Sequence, residues 1–375
     1  MEDPLYFDAL SGKRIDRVPR QAWLVDDGSA SSYLTGPAFF DPQVNGFAGV
    51  DFQNQNLRFD ELEFAVTEIR KSGCAHILLT LITASAAAFE DQLRRIANGI
   101  KNSPIIRDCV LGFHLEGPFI SAKSGFSGAH QSRHLREPDW SLFVRWQKAS
   151  GDRIRMITLA PELRGSISFI RRAAASNVFV CVGHTDATLE TLIESFHAGA
   201  RMVTHLGNGC PIELDRHDNI VNRLLGIPDL MASIIPDGIH IPPPALSNLV
   251  RCLGPARLIC STDCMSAAGA PTGKYRLGNL HVTVGEDRVV RHPTAEGFAG
   301  SSLTMLEGFY NCVRFGGISA DASWRAWTRL RNILFPRVQA PLLAIPFPVA
   351  SSAVKQQVGR AQNIREWRVL RSPAR

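Results

Sequence analysis

Two histidines end two successive strand-like runs: His184 closes VFVCVGH and His205 closes MVTHLGN, both within residues 177–208. A turn and a helical stretch join the two runs, so they read as parallel strands whose C-terminal ends open onto one mouth of a sheet. That is where α/β folds keep their chemistry. Either histidine alone is more simply a satisfied core residue. Delivered together, two imidazoles plus one carboxylate suit Zn2+ or another borderline divalent ion, with a position left open for water. Glu116, at the end of another apolar run in HLEGPF, is the natural third donor, because a buried unpaired carboxylate is costly. A salt-bridged supporting acid is the other reading of Glu116. Asp263 ends the run RLICSTD. A carboxylate there can take a proton from an activated water and pass it to a leaving group, or it can cap the segment SAAG that follows. Gln43, Asn45, Asn208, His240 and the Arg216–His217 pair add donors near the same rim. Arginine binds phosphate bidentately, so an anionic substrate is expected.

Eight strand-like runs are needed to hold these residues: 34–41, 76–83, 110–120, 155–162, 178–184, 202–208, 231–240 and 257–263. Helical patterns separate most of them, among them 59–73, 86–102, 166–176 and 244–254. Near-continuous apolar strands indicate burial on both faces and hence a parallel sheet. Eight such βα units, with the polar residues gathered at the strand ends, fit a (β/α)8 barrel of the TIM type. No G-x-G-x-x-G follows the first strand and no G-x-x-x-x-G-K-[ST] occurs, which argues against a nucleotide-binding sheet. Short turn-punctuated pieces in residues 1–33 and alternating runs in 274–298 read as a small β appendage or insertion. Residues 297–317 read as a Gly/Ser loop and a helix. The expected organisation is an N-terminal appendage segment (1–33), a hydrolase barrel (34–318) and an atypical C-terminal segment (319–375).

The bulk composition places these elements in an ordinary globular chain of 375 residues, 45% hydrophobic and 20% charged. The net charge of +6 is unevenly spread. Residues 323–375 hold ten Lys/Arg against one acid, Glu366, so the preceding 322 residues carry about −3. A mildly acidic body with a basic tail argues against nucleic acid as partner. No apolar run approaches the ~18 residues needed to span a bilayer, and the start lacks the pattern of a signal peptide. Eight scattered cysteines without a CxxC pair read as reduced thiols of a cytoplasmic protein. The last 53 residues, Arg/Pro-rich and without clean periodicity, support no element.

The motifs DPQVNG (41–46), HLEGPF (114–119), GAH (128–130), GHTDAT (183–188), THLGNG (204–209), PDGIH (236–240), STD (261–263) and AGSSLTM (299–305) occur in an order and spacing that resembles the N-acetylglucosamine-6-phosphate deacetylases of the amidohydrolase superfamily. The resemblance covers roughly residues 35–318. It implies one divalent metal held by Glu116, His184 and His205, zinc first and iron, manganese or cobalt as alternatives. It makes Asp263 the general base and His130 the partner of the acetamide carbonyl. Asn208, Arg216, His240, Gly128 and Ala129 would hold a phosphorylated amino sugar, Arg216 from the same chain or from a neighbouring subunit of a homodimer or homotetramer. Gln43 and Asn45 replace the superfamily's His-x-His, which points to one metal and leaves them to support its water. Two departures accompany the match. GFSGAH carries a small insertion before His130, and from about Trp324 the chain lacks the family's closing strands, leaving the β-sandwich appendage incomplete. Deacetylation of another N-acetylhexosamine phosphate, another amidohydrolase activity, and a non-catalytic relative with an impaired fold are the alternatives.

Overall fold

The computed structural model describes residues 5–15, 23–25, 30–293 and 297–347. Eight parallel strands follow one another around a barrel: β1 Phe39–Val44, β2 Cys74–Ile82, β3 Val110–Glu116, β4 Ile154–Leu159, β5 Phe179–Val182, β6 Ala200–Val203, β7 Met231–Ile234 and β8 Leu258–Cys260. Their spatial order is their sequence order, the arrangement of a (β/α)8 barrel. The eight expected runs are all present. The first is shifted, because 34–41 spans two strands. Ser32–Pro37 belongs to the appendage, and the chain crosses to the barrel at Ala38. Pro37 has no N–H to continue a ladder, and the Ala38 N–H turns to the Pro341 carbonyl at 2.9 Å.

Helices sit where polar caps precede apolar periodicity. Ser85 accepts from Ala88 N ahead of Ala86–Asn102, and Thr188 accepts from Thr191 N ahead of Leu189–Ala198. Trp140–Ala149, capped by Asp139, was not expected from the sequence; it buries Leu142, Phe143 and Trp146 against the barrel wall. The pieces at 274–298 resolve into an antiparallel hairpin, Gly273–Leu277 with Leu280–Val284.

The barrel interior is layered. Its floor is Phe40, Leu78, Met156, Cys181, Met202 and Ile259, sealed by Leu330. Above lies a polar layer in which His114 Nε2 meets Thr158 Oγ1 at 2.8 Å and Thr158 meets Thr204 at 2.7 Å. The site occupies the top. The seam between β1 and β8 lacks a backbone ladder. Thr262 instead donates from N and Oγ1 to the buried Asp41 carboxylate, the hydroxyl at 2.5 Å, and Asn45 N–H reaches Cys264 O at 2.8 Å.

The chain beyond residue 318, where the sequence supported no element, contributes a helix and a strand. Ser319 caps the helix Ala320–Leu334, whose Trp324, Trp327 and Leu330 recur at helical spacing and are buried. Trp324 Nε1–H donates to Pro37 O at 2.9 Å, and its ring packs on Phe39 and Phe309. Leu342–Pro346 then inserts between Ser32–Pro37 and Trp23–Leu24 in a five-stranded sheet completed by Leu5–Asp8 and Arg14–Ile15. The appendage is therefore built from both ends of the described chain. Most of the basic tail, Trp367 included, lies outside the described residues. Trp324→Ala should cost about 3–5 kcal/mol of stability, the range for emptying a buried aromatic site. Chemical denaturation measures it; a loss below about 1 kcal/mol would mean that this helix is not integrated with the barrel.

Candidate metal centre and active site

Three strands deliver the site. Glu116 is the last residue of β3, His184 lies two residues past β5, and His205 two past β6. His184 and His205 both have positive φ, +51° and +34°, as does Asp263 at +50° after β8. Non-glycine residues rarely adopt this conformation, which costs roughly 1–3 kcal/mol each and gathers at functional sites. Here it turns the chain sharply as the strand ends.

The two imidazoles converge on one carboxylate oxygen. His184 Nε2 lies 3.1 Å and His205 Nε2 2.7 Å from Glu116 Oε1. The rings stand edge to face, centroids 4.9 Å apart. All three residues are buried. Burial opposes the carboxylate charge, yet the neighbouring His184 and His205 imidazoles hold Glu116 well below the usual carboxylate range. Burial likewise opposes charge on His205, but Glu116 overrides it and raises the imidazole. Positive charge is thus favoured at the point where the donors meet. His184 Nδ1 donates to the Phe126 carbonyl at 2.7 Å, which leaves its Nε2 lone pair facing Glu116. Gly209 (φ +63°) allows this approach: a Cβ there would fall 2.8 Å from His184 Nδ1. A carboxylate, an imidazole of fixed tautomer and a second imidazole suit a divalent cation. The buried polar atoms Gln43 Nε2, Asn45 Oδ1 and His205 Nδ1 have no hydrogen-bond partner among the described residues.

The other expected residues fall into two groups. Asn45 Nδ2 donates to Asp263 Oδ1 at 2.8 Å, tying the Gln-x-Asn strand end to the Asp263 carboxylate. Burial, then the Glu116 charge, push Asp263 up to about 6. His130 enters from the loop after β3; its Nε2 lies 3.9 Å from Glu116 Oε2 and its ring packs edge-on against His184 at 4.6 Å. One ligand atom each from Glu116, His130 and His184 lies within 4.8 Å of the others. Burial and the neighbouring imidazoles push His130 down to about 3, so it is neutral. Asn208 Nδ2 donates to His205 O at 3.3 Å beside the site. His240 is held by Asp237, Nδ1 to Oδ2 2.6 Å, and packs on Phe298. Gly128 and Ala129 precede His130, and a Cβ on Gly128 would touch the His184 ring. Arg216 and His217 lie on an exposed loop.

Sequence reasoning missed Thr83, Phe126, Phe298 and the Asp41–Thr262 seam, and it placed Asp237 on the rim without giving it a role. Asp237 had a signal, standing three residues before His240 in PDGIH; Phe126 acts through its carbonyl, which no side-chain pattern reveals.

Known proteins place this geometry. The chain is 33% identical over 288 residues to the N-acetylglucosamine-6-phosphate deacetylase of Lysinibacillus sphaericus, covering 76% of this chain and 72% of that protein. The chain belongs to the N-acetylglucosamine-6-phosphate deacetylase family. It is also 32% identical over 287 residues to the N-acetylgalactosamine-6-phosphate deacetylase of Escherichia coli O157:H7, covering 76% and 74% of the two chains. A solved structure of a Mycobacterium smegmatis N-acetyl-D-glucosamine-6-phosphate deacetylase mutant, in complex with N-acetyl-D-glucosamine-6-phosphate, superposes with a TM-score of 0.74 at 28% identity. It covers 84% of this chain and 83% of that one. No family model matches the sequence. The barrel and a buried Glu/His/His group that could hold a metal ion accompany this family membership. Among the described residues no helix is long and apolar enough to cross a membrane.

Proposed function

We propose that the chain hydrolyses the acetamide of N-acetylglucosamine 6-phosphate to glucosamine 6-phosphate and acetate, with one divalent cation, zinc by preference, held by Glu116, His184 and His205. The convergence of two imidazole nitrogens on one buried carboxylate oxygen carries this reading. A cation bound there supplies Lewis-acid polarisation and makes water a nucleophile near neutral pH. Asp263, aligned by the Asn45 amide, takes the proton from the attacking water as the C–O bond forms. It returns that proton to the departing nitrogen as the C–N bond breaks. His130 donates from Nε2 to the carbonyl oxygen as negative charge develops there. Gln43 and Asn45 position the water, and Gly128 and Ala129 shape the acetamide pocket. Asn208 and His240 hold the sugar phosphate.

Arg216, exposed in the single chain, completes the phosphate site from a neighbouring subunit of a homodimer or homotetramer. Arg216→Ala should then raise KM for the phosphorylated sugar about 10- to 100-fold, the loss expected for a charge-assisted pair, with kcat little changed. An equal loss on unphosphorylated N-acetylglucosamine would remove Arg216 from the phosphate site. The eight cysteines are all free thiols, which fits residence in a reducing cytoplasm. Acetate release from N-acetylglucosamine 6-phosphate and its galactosamine epimer, with metal content measured on the same sample, tests the whole reading. No acetate from either sugar by the metal-loaded chain sinks it; faster release from the galactosamine epimer reassigns the substrate.

A further inference from the structure

We propose that Thr83 sets the tautomer of His130, so that this imidazole meets the reaction as a hydrogen-bond donor and not as a ligand to the cation. The proposal deepens the reading of His130 given above and rests on it for its kinetic consequence. Thr83 is buried one residue past β2, beneath the loop that carries His130. Its backbone N–H points at His130 Nδ1 at 3.3 Å, and its Oγ1 lies 2.7 Å from the same nitrogen. A hydroxyl can donate or accept, so the 2.7 Å contact alone decides nothing. A backbone N–H can only donate. Nδ1 therefore presents its lone pair to Thr83, and the hydroxyl adds a second donor to it. A neutral imidazole has one proton, which is then on Nε2, the nitrogen that faces the site 3.9 Å from Glu116 Oε2.

His184 is wired the opposite way. Its Nδ1 faces the Phe126 carbonyl, which can only accept, so its proton is on Nδ1 and its lone pair is on Nε2. Two imidazoles in edge-to-face contact, 4.6 Å between centroids, thus carry opposite tautomers, one a ligand and one a donor. The distinction matters because Glu116, His130 and His184 lie close enough together to form a three-donor set by themselves. For His130 to bind a cation through Nε2, its proton would have to move to Nδ1, against the Thr83 N–H. The second nitrogen ligand is then His205. Gly117 makes room for the device: with φ +73°, it leaves empty the place where a Cβ would sit 2.3 Å from Thr83 Oγ1.

Thr83→Val keeps the shape and the backbone N–H but removes the hydroxyl; Thr83→Ser restores it. Both variants and the parent, as the full zinc-loaded chain, are compared by steady-state kinetics on N-acetylglucosamine 6-phosphate and by 15N chemical shifts of the His130 ring at pH 8. The parent should show an unprotonated Nδ1 and a protonated Nε2. Thr83→Val leaves only the longer N–H contact at 3.3 Å on Nδ1, which is too weak to hold the tautomer alone, so the ring should mix the two forms and kcat should fall about tenfold or more, the lower part of the range for a positioned proton donor, with KM within about threefold. Thr83→Ser should recover kcat to within about threefold. A parent protonated at Nδ1, a valine variant with parental kcat, or equal losses in both variants with an unchanged ring spectrum would each overturn the proposal. The ring spectrum needs no turnover. A chain with the assigned tautomer that releases no acetate therefore counts against the substrate and not against Thr83.

Discussion

Asp263→Asn should lower kcat by about three orders of magnitude while the protein keeps its cation and its fold. The size follows from general acid–base catalysis, worth roughly 10²–10⁴-fold, with one carboxylate here serving in both directions. The substitution is mild on the structure. Asparagine tolerates the positive φ of +50° at this position, and its carbonyl oxygen can still accept from Asn45 Nδ2, which lies 2.8 Å from Asp263 Oδ1. What asparagine cannot do is take a proton from water at neutral pH. The pH dependence has a definite sign. The base must be ionised, so kcat/KM falls as pH drops through the Asp263 pKa. Burial and the Glu116 charge push that pKa up to about 6, and a bound cation, opposing Glu116, moves it down. The acid limb of the profile thus lies at or below pH 6. Kinetics across pH 4.5–8.5 on parent and variant, with metal analysis, check both points. Residual activity above a tenth of the parent, or an acid limb above pH 7, would remove Asp263 from the base's role.

The second large effect concerns the carboxylate at the centre of the site. Glu116→Gln should take the protein from one bound cation per chain to none after gel filtration, and acetate release should fall by about 10³-fold or more. Polarisation by a metal ion is worth several kcal/mol of barrier, and 1.36 kcal/mol is a factor of ten. Glutamine fills the same volume but has no charge, and its amide NH2 competes for the place that both imidazole nitrogens now share at 3.1 and 2.7 Å. The surrounding layers, from His114 and Thr158 down to the apolar floor, do not depend on that charge. Circular dichroism and the thermal midpoint should therefore stay near parental values. A glutamine variant that retains a full equivalent of metal would place the cation elsewhere. One that unfolds would make Glu116 a structural ion pair first.

The sequence carried much of this site because its strands end where their polarity changes. His184, His205, Glu116 and Asp263 each stand at the end of a largely apolar strand run, and a barrel brings such ends together by construction. Their mutual distances were not legible, and neither were contacts made by backbone atoms: the Phe126 carbonyl on His184 and the Thr83 N–H on His130 leave no trace in residue type. The crossing at Ala38 was hidden because YLTGPAFFDPQV is apolar on both sides of it, although the strands on either side belong to different sheets. The helix Ala320–Leu334 was missed for another reason. Its arginines dominate the composition, while Trp324, Trp327 and Leu330 keep the helical spacing beneath them.

The strand Leu342–Pro346 has a consequence for how the molecule is made. It lies against Ser32–Pro37, and the Ser32 hydroxyl donates to Phe347 O at 2.6 Å across 315 positions of sequence. A ribosome adding roughly 5–20 residues per second needs about 16–60 s to bring the second partner into being. Throughout that time Ser32–Pro37 has an open edge, a template for pairing with other nascent chains. The barrel can assemble progressively behind it, since each strand pairs with the one made just before. Closure of the appendage waits until Leu342–Pro346 has been made, so this small sheet stays open after the barrel strands are complete.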